Sequence, residues 1–131
     1  MGGLGSGYQG PKKCTVEDCL TLSISEMMNR RAIRPGFVIW SGWNWRYPGE
    51  APFARIDYRS DLEVSDGRIR LIYRVGVEPL DYVVRIVTTP LNNGGRRWWF
   101  LCPLAQLAGD GPRRVDKLYR PPGAKYFGSR V

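Results

Sequence analysis

The feature that most constrains the fold is a period-two alternation of apolar and charged residues directly after Asp66-Gly67. The apolar positions are Ile69, Leu71, Tyr73 and Val75, and the charged positions between them are Arg68, Arg70 and Arg74. Because successive side chains of a strand point to opposite faces, this pattern predicts a strand with one buried face and one wet face. An Asp-Gly pair between two such segments is typical of a hairpin, so the preceding strand is expected to be antiparallel.

Similar extended segments fill most of the chain after Gly36. Strands are predicted at residues 37–47, 53–64, 68–77, 81–89 and 96–101, with turns at 47–50, 65–67, 78–79 and 90–95. A short strand at 20–24 precedes a helix at 26–33, which Ser23 or Ser25 would cap and Pro35-Gly36 would stop. The order predicts a mainly β fold: a single antiparallel meander sheet, curved or barrel-like, with one short N-terminal helix.

The length and composition suit one domain. A chain of 131 residues with 43% hydrophobic residues can bury its own core. Residues 1–13 are Gly-rich and predict a flexible arm, so residues 14–131 are expected to form a single β-rich domain. No apolar run reaches the roughly 20 residues of a membrane span, and no signal peptide is visible. Together with an odd number of cysteines, this predicts a cytoplasmic protein without a membrane partner.

The residue types argue against catalysis. The chain contains no His, which excludes Ser-His and Cys-His mechanisms and His-ligated metals. Asp57, Asp61 and Glu63 lie near arginines, whereas Asp110 and Asp116 are isolated. No two carboxylates share an apolar setting in which their pKa values would be driven apart. We therefore expect no enzyme activity and assign no catalytic residue.

Motifs for a cofactor or a metal are incomplete. Residues 5–10 match G-x-G-x-x-G, but no strand precedes them and no helix clearly follows, so no dinucleotide site is expected. Cys14, Cys19 and Cys102 supply three thiols, one fewer than a closed structural zinc site requires. The prediction is that the protein holds neither a cofactor nor a metal.

Positive charge is concentrated near the C-terminus. The net charge is +8, and residues 96–131 carry eight Lys and Arg against two Asp. Clustered positive charge with interleaved aromatic residues is typical of nucleic-acid binding. We expect a basic, aromatic C-terminal hairpin to bind DNA or RNA through Arg96, Arg97, Trp98, Trp99, Arg113, Arg114, Lys117, Tyr119 and Arg120. The cations would contact phosphates, and Trp98 or Trp99, together with Tyr119, would stack on bases.

Other interpretations of the same residues stay open. The arginine face of the strand after Gly67 is either the solvated side of a half-buried sheet or a basic binding face. The Trp and Arg residues would also suit a protein–protein interface with an acidic partner. On a strand, Trp98 and Trp99 must point to opposite faces, as must Trp40 and Trp43, so some indoles are expected outside the core.

Several segments carry a resemblance that spans nearly the whole chain. They are residues 1–7, Thr15-Val16-Glu17-Asp18-Cys19, Gly42-Trp43-Asn44-Trp45, Arg97-Trp98-Trp99-Phe100-Leu101-Cys102-Pro103, Arg113-Arg114-Val115-Asp116-Lys117-Leu118-Tyr119, Pro121-Pro122-Gly123 and Tyr126-Phe127-Gly128. On these segments the chain resembles a group of uncharacterised bacterial proteins with a Gly-rich N-terminal arm, a Gly-Trp-x-Trp strand and a C-terminal zinc-ribbon-like segment.

The resemblance implies that the ribbon is degenerate here. In that group four cysteines form it, and Cys102 matches the first of them. Gly111 and Ser129 stand where the second and third would be, and Val131 comes just before the place of the fourth. A structural zinc site needs all four ligands. Residues 96–131 are therefore expected to form a metal-free, degenerate zinc-ribbon-like hairpin.

Overall fold

The computed structural model describes residues 20–107, 109 and 111–129. The predicted arm at residues 1–13, Cys14 and Cys19 lie outside these residues. The described elements, in chain order, are β1 (Leu20–Ser23), α1 (Ile24–Asn29), β2 (Val38–Trp45), β3 (Ala54–Leu62), β4 (Asp66–Val75), β5 (Glu78–Pro90), β6 (Arg96–Leu101), α2 (Pro103–Leu107), β7 (Arg114–Val115) and β8 (Lys117–Arg120).

Six of the strands form one antiparallel meander, in the order β2-β3-β4-β5-β6-β7. Every neighbour in this sheet is also the next strand of the sheet in sequence, and turns or loops join all of them except β6 and β7, between which α2 lies. The mainly β fold with an antiparallel sheet is confirmed. The sheet does not close into a barrel, because β2 and β7 form its two edges and do not pair with each other.

A second, two-stranded sheet joins the two ends of the described chain. Strand β1 pairs antiparallel with β8, with Leu20 opposite Arg120 and Ser23 opposite Lys117. Asp116, just before β8, accepts hydrogen bonds from the Ile24 amide at 2.9 Å and the Ser25 hydroxyl at 2.5 Å. The small sheet thereby positions the start of α1.

The helix begins at Ile24, two residues before the predicted start, and ends earlier than predicted. The Ser23 hydroxyl accepts a hydrogen bond from the Glu26 amide at 3.2 Å, so Ser23 is the N-cap. The helix ends at Asn29, because Arg31 adopts a left-handed backbone conformation with φ 59° and turns the chain. The prediction of a helix to residue 33 was therefore too long. Within the described residues, no helix has the length and apolar character to cross a membrane.

The core lies between the large sheet and a layer made of the small sheet, α1 and the segments next to them. One face of the sheet supplies large, completely buried side chains such as Tyr58, Leu71 and Phe100. The opposing layer is contributed by the small sheet, α1 and the C-terminal segment, and its buried residues are Leu22, Ile24, Met27, Ile33, Leu118 and Phe127. Each large apolar side chain buried in this way contributes about 1.5–3 kcal/mol.

Two turns differ from their predicted positions. Asp66 and Gly67 lie inside β4, and the turn before them is formed by residues 63–65. Gly67 faces Leu62 across the strand pair, where backbone approaches backbone too closely for a side chain. Likewise, Pro79 lies inside β5. It is the second residue of that strand, where the backbone N–H that proline lacks is not needed. The two-residue turn before β5 begins at Gly76, which has φ 62°.

The packing at Gly67 makes a stability prediction. A Cβ at this position would lie 2.5 Å from the Asp61 carbonyl oxygen and 2.7 Å from the Leu62 Cα, both of them backbone atoms. Gly67→Ala must therefore displace β3, and we expect it to lower the free energy of unfolding by about 1–3 kcal/mol, measured by urea denaturation. Gly95→Ala is the control, since the nearest atom there is a side-chain oxygen at 3.2 Å. Equal stability of the two variants would contradict the prediction.

Candidate nucleic-acid interface

The face of the large sheet that points away from the core is polar and strongly basic. We call it the open face. By strand register its residues include Trp40, Arg55, Asp57, Arg59, Asp61, Asp66, Arg68, Arg70, Arg74, Asp81, Val83, Arg85, Arg97, Trp99 and Arg114, with apolar side chains such as Val38, Ile72 and Val87 between them. Eight of these residues are Arg and four are Asp, so the face has a clear positive excess.

Only part of this charge is neutralised locally. Arg55 pairs with Asp57 at 3.1 Å and Arg70 pairs with Asp81 at 2.6 Å, and all four side chains remain well exposed. The hydrogen bond from Arg70 is the main cause that lowers the pKa of Asp81. Within the part of the chain that the structure describes, no ion pair forms at Arg68, Arg74 or Arg85. These guanidinium groups are available to an external anion.

Trp40 is the exposed aromatic platform of the open face. Its side chain is 62% exposed, although a Trp usually buries most of its surface. Arg59 lies opposite it on β3, and Arg70 follows on β4. Their guanidinium carbons lie 5.6 and 6.0 Å from the indole ring centroid, within cation–π range. The exposed ring is thus flanked by two cations.

A second aromatic group lies on β6. Trp99 is half-buried, and its indole Nε1–H donates to the Thr89 hydroxyl at 2.9 Å. The Arg97 guanidinium covers the ring at 4.2 Å from its centroid. Further along, Arg114 on β7 shares a shallow pocket with Arg85. Three of the residues predicted from the sequence, Arg97, Trp99 and Arg114, therefore lie on the open face.

Their neighbours Arg96 and Trp98 lie on the other face of the same strand. Trp98 packs against the core, and Arg96 donates to the Thr88 hydroxyl at 3.0 Å. The expectation that Trp98 and Trp99 point to opposite faces is confirmed. Trp43 and Trp40 are also separated in this way, since Trp43 is in the core.

The remaining predicted residues belong to the C-terminal part of the small sheet. Residues 96–129 are divided between two sheets and do not form one hairpin, because β6 and β7 join the large sheet whereas β8 pairs with β1. Lys117 is exposed on β8, and Tyr119 exchanges backbone hydrogen bonds with Gly128. Arg113 is exposed and donates to the Ser129 hydroxyl at 3.3 Å.

Arg120 has a structural environment. Its guanidinium lies 5.3 Å from the Tyr73 ring centroid and 5.9 Å from that of Phe127, and it donates to the Ala124 carbonyl oxygen at 2.8 Å. Burial is the main cause that raises the pKa of Tyr73, and its hydroxyl also bonds that of Tyr82 at 2.6 Å. Arg120 is therefore packed against two aromatic rings and bonded to the backbone, and its predicted phosphate contact stays a prediction.

Cys102 is packed in the core. It is 1% exposed, and its sulfur accepts a hydrogen bond from the Ser129 amide at 3.3 Å. Burial opposes ionisation of the thiol, but the hydrogen bonds from Ser129 and from the backbone of Ala105 and Leu104 together outweigh it, so the pKa of Cys102 is lowered. Among residues 20–107, 109 and 111–129, no three His, Cys, Asp or Glu residues are grouped so that they could hold a metal ion.

Comparison of the chain with protein-family models, with curated proteins and with solved structures found no match in any of the three. The resemblance to a bacterial group with a zinc-ribbon-like segment stays a prediction. The candidate interface is therefore inferred from the geometry of this chain alone.

Sequence reasoning did not single out Trp40, Arg59 or Arg85 as site residues. The alternation on β4 did indicate an arginine face, with a basic binding surface as one of two interpretations. The missing information was the register, which places Trp40 opposite Arg59. A search for exposed-face Arg and Trp on every predicted strand would have found these residues.

The environment of Arg120 predicts a role in stability. Arg120→Ala removes the bond to Ala124 and the contacts with two rings, so we expect the free energy of unfolding to fall by about 2 kcal/mol, measured in urea. Lys117→Ala, an exposed change on the same strand, is expected to stay within about 0.5 kcal/mol of the parent. If Arg120→Ala keeps its stability but loses nucleic-acid affinity, Arg120 belongs to the interface after all.

Proposed function

We propose that this protein binds single-stranded nucleic acid on the open face of its six-stranded sheet, without catalysing a reaction. The observation that carries the proposal is the exposed indole of Trp40 between Arg59 and Arg70. Stacking of bases on exposed aromatic rings, combined with cationic contacts to the backbone, is how single strands are held without sequence preference.

The charge of the open face supports a polyanionic ligand. Arg68, Arg74 and Arg85, which form no ion pair with any described residue, are spread over two neighbouring strands. Arg presents several donors in a planar fork that matches phosphate oxygens. A strand laid across the sheet would meet a cation at many of its phosphates while its bases contact Trp40.

The shape of this surface favours a single strand over a duplex. Reading a duplex through its major groove requires a helix or a β-ribbon that enters the groove. Helix α1 has six residues, and two of them, Ile24 and Met27, are completely buried in the core. An open sheet face with an exposed ring instead suits unstacked bases.

We place the protein in the bacterial cytoplasm, where nucleic acid is accessible and thiols such as Cys102 stay reduced. The second candidate is a protein interface with an acidic partner. It is favoured by exposed apolar side chains at one sheet edge, where Phe37 is 51% and Val38 52% exposed beside Trp40. A pull-down that yields one protein partner after nuclease treatment would support this second function.

Charge variants on the open face test the proposal by salt titration. For single strands, each phosphate contact contributes roughly 0.7 to the slope of log K against log salt. Arg59→Gln and Arg85→Gln should each weaken binding of a fluorescent oligonucleotide and reduce this slope by about that amount. Asp81→Asn should act in the opposite direction, because it releases Arg70 from its ion pair.

Glu50→Gln is the control for net charge. It removes one negative charge, as Asp81→Asn does, but from an exposed turn residue. It is therefore expected to release no arginine of the open face and to leave the affinity almost unchanged. The parent protein should lose affinity steeply as salt rises. Binding that is absent at low salt, or that is independent of salt, would contradict the proposal.

Trp40 tests the stacking contact separately from charge. Removing one base–aromatic stack costs about 1–3 kcal/mol, so Trp40→Ala should weaken binding by roughly tenfold or more. The salt slope should not change, because no cation is lost. Trp40→Phe should retain part of the affinity. The exposed position predicts unchanged thermal stability, and weak binding accompanied by unfolding would not count as support.

A further inference from the structure

A cleft of about 710 Å³ lies beside the edge of the large sheet, between the end of α1 and strand β2. Its lining includes Trp43 and Trp45 from β2 and the arginines Arg30, Arg31 and Arg46. It faces the core side of β2, whereas Trp40 lies on the opposite side of that strand. The cleft is therefore distinct from the open face.

The turn after α1 presents its arginines from a fixed backbone. The Arg31 amide bonds the Met28 carbonyl at 3.0 Å, and the Ala32 carbonyl accepts the Tyr58 hydroxyl at 2.6 Å. Ile33, just beyond, is 1% exposed and anchors the turn in the core. Arg31 keeps a left-handed backbone, φ 59°, which is costly for a residue with a side chain. A glycine would suit this backbone better, so the Arg31 side chain is not there to satisfy the turn.

The charge in the cleft is unbalanced. Among the described residues that line it are three Arg and one Glu, so two positive charges remain after pairing. Arg30 forms the ion pair with Glu26 at 2.9 Å, and its guanidinium lies 5.5 Å from the Trp43 ring centroid. Arg31 and Arg46 stay exposed. Two remaining cations match the charge of a phosphate monoester, which carries close to two negative charges at neutral pH.

The size of the cleft limits which ligands could fill it. Small-molecule sites usually have volumes of about 300–1,000 Å³, and a lone phosphate ion would fill little of such a space. Beside the arginines, the indole of Trp45 lines the cleft, half-buried and held by its bond to the Thr21 carbonyl at 2.9 Å. The volume leaves room for an uncharged group of about nucleoside size next to a phosphate.

We infer that this cleft binds a phosphate monoester of nucleotide size, with Arg31 and Arg46 contacting the phosphate. Its phosphate is that of a free mononucleotide or of the terminal nucleotide of a strand, since both present the same chemistry. The inference does not depend on binding at the open face.

The test is calorimetric titration of the protein with AMP and with adenosine. AMP should bind, and adenosine should show no binding at tenfold higher concentration, because the phosphate supplies the charge contacts. Arg31→Gly and Arg46→Gln should each weaken AMP binding at least tenfold. Arg31→Gly suits the left-handed backbone, so the protein stays folded and the loss reports on the side chain.

Arg85→Gln, a change on the open face, should leave AMP binding unaltered and separates this site from the proposed interface. Oligonucleotides with a 5′-phosphate or a 5′-hydroxyl distinguish the two sources. An Arg31-dependent preference for the phosphorylated strand assigns the cleft to strand ends, and equal binding assigns it to free nucleotides. The inference is overturned if AMP fails to bind, if adenosine binds as well as AMP, or if both cleft variants retain full affinity.

Discussion

The stability of the structure depends on hydrophobic burial of one face of the large sheet. A six-stranded antiparallel sheet has two faces, and hydrophobic burial of one face leaves the other for solvent. Here the cover consists of short pieces, β1, α1 and the C-terminal residues around Phe127, which could not form stable elements alone. They are joined to one another through Asp116, which bonds residues of α1, and through the pairing of β1 with β8. Once this cover is in place, the arginine face has to be the exposed one.

The open face combines paired and unpaired cations, and these differ in what they offer a ligand. The ion pairs of Arg55 and Arg70 are exposed and contribute little stability, but each already holds an anion. Because the pKa of Asp81 is lowered by Arg70, that carboxyl stays ionised and the pair persists down to acidic pH, where protonation would free the arginine. Arginines such as Arg85 form no ion pair with any of the described residues, although Asp61, Glu63 and Asp66 line the same cleft. The exposed Trp40 adds a contact that salt does not screen.

Much of the architecture could be predicted from local patterns. The alternation in β4 identified its buried and wet faces, and the two candidate caps, Ser23 and Ser25, placed the start of the helix to within two residues. The hairpin order followed because antiparallel neighbours need only short turns. The turn positions were less accurate: Asp66-Gly67 looks like a turn, but a glycine is also required where two backbones approach closely, and a single chain segment does not distinguish these cases. The C-terminal basic segment resembled one site because its charges are close in sequence.

The sequence by itself determined the fold class, the basic character and the opposite orientation of Trp98 and Trp99, because each depends on periodicity or composition. Only the tertiary structure decided which charges lie together. Pairing of β8 with β1 takes Lys117 and Arg120 away from Arg97, and Arg120 becomes enclosed by aromatic rings. Register across β2, β3 and β4 brings Trp40 next to two arginines that are 19 and 30 residues further along the chain. Such neighbours arise from long-range pairing, which no local pattern encodes.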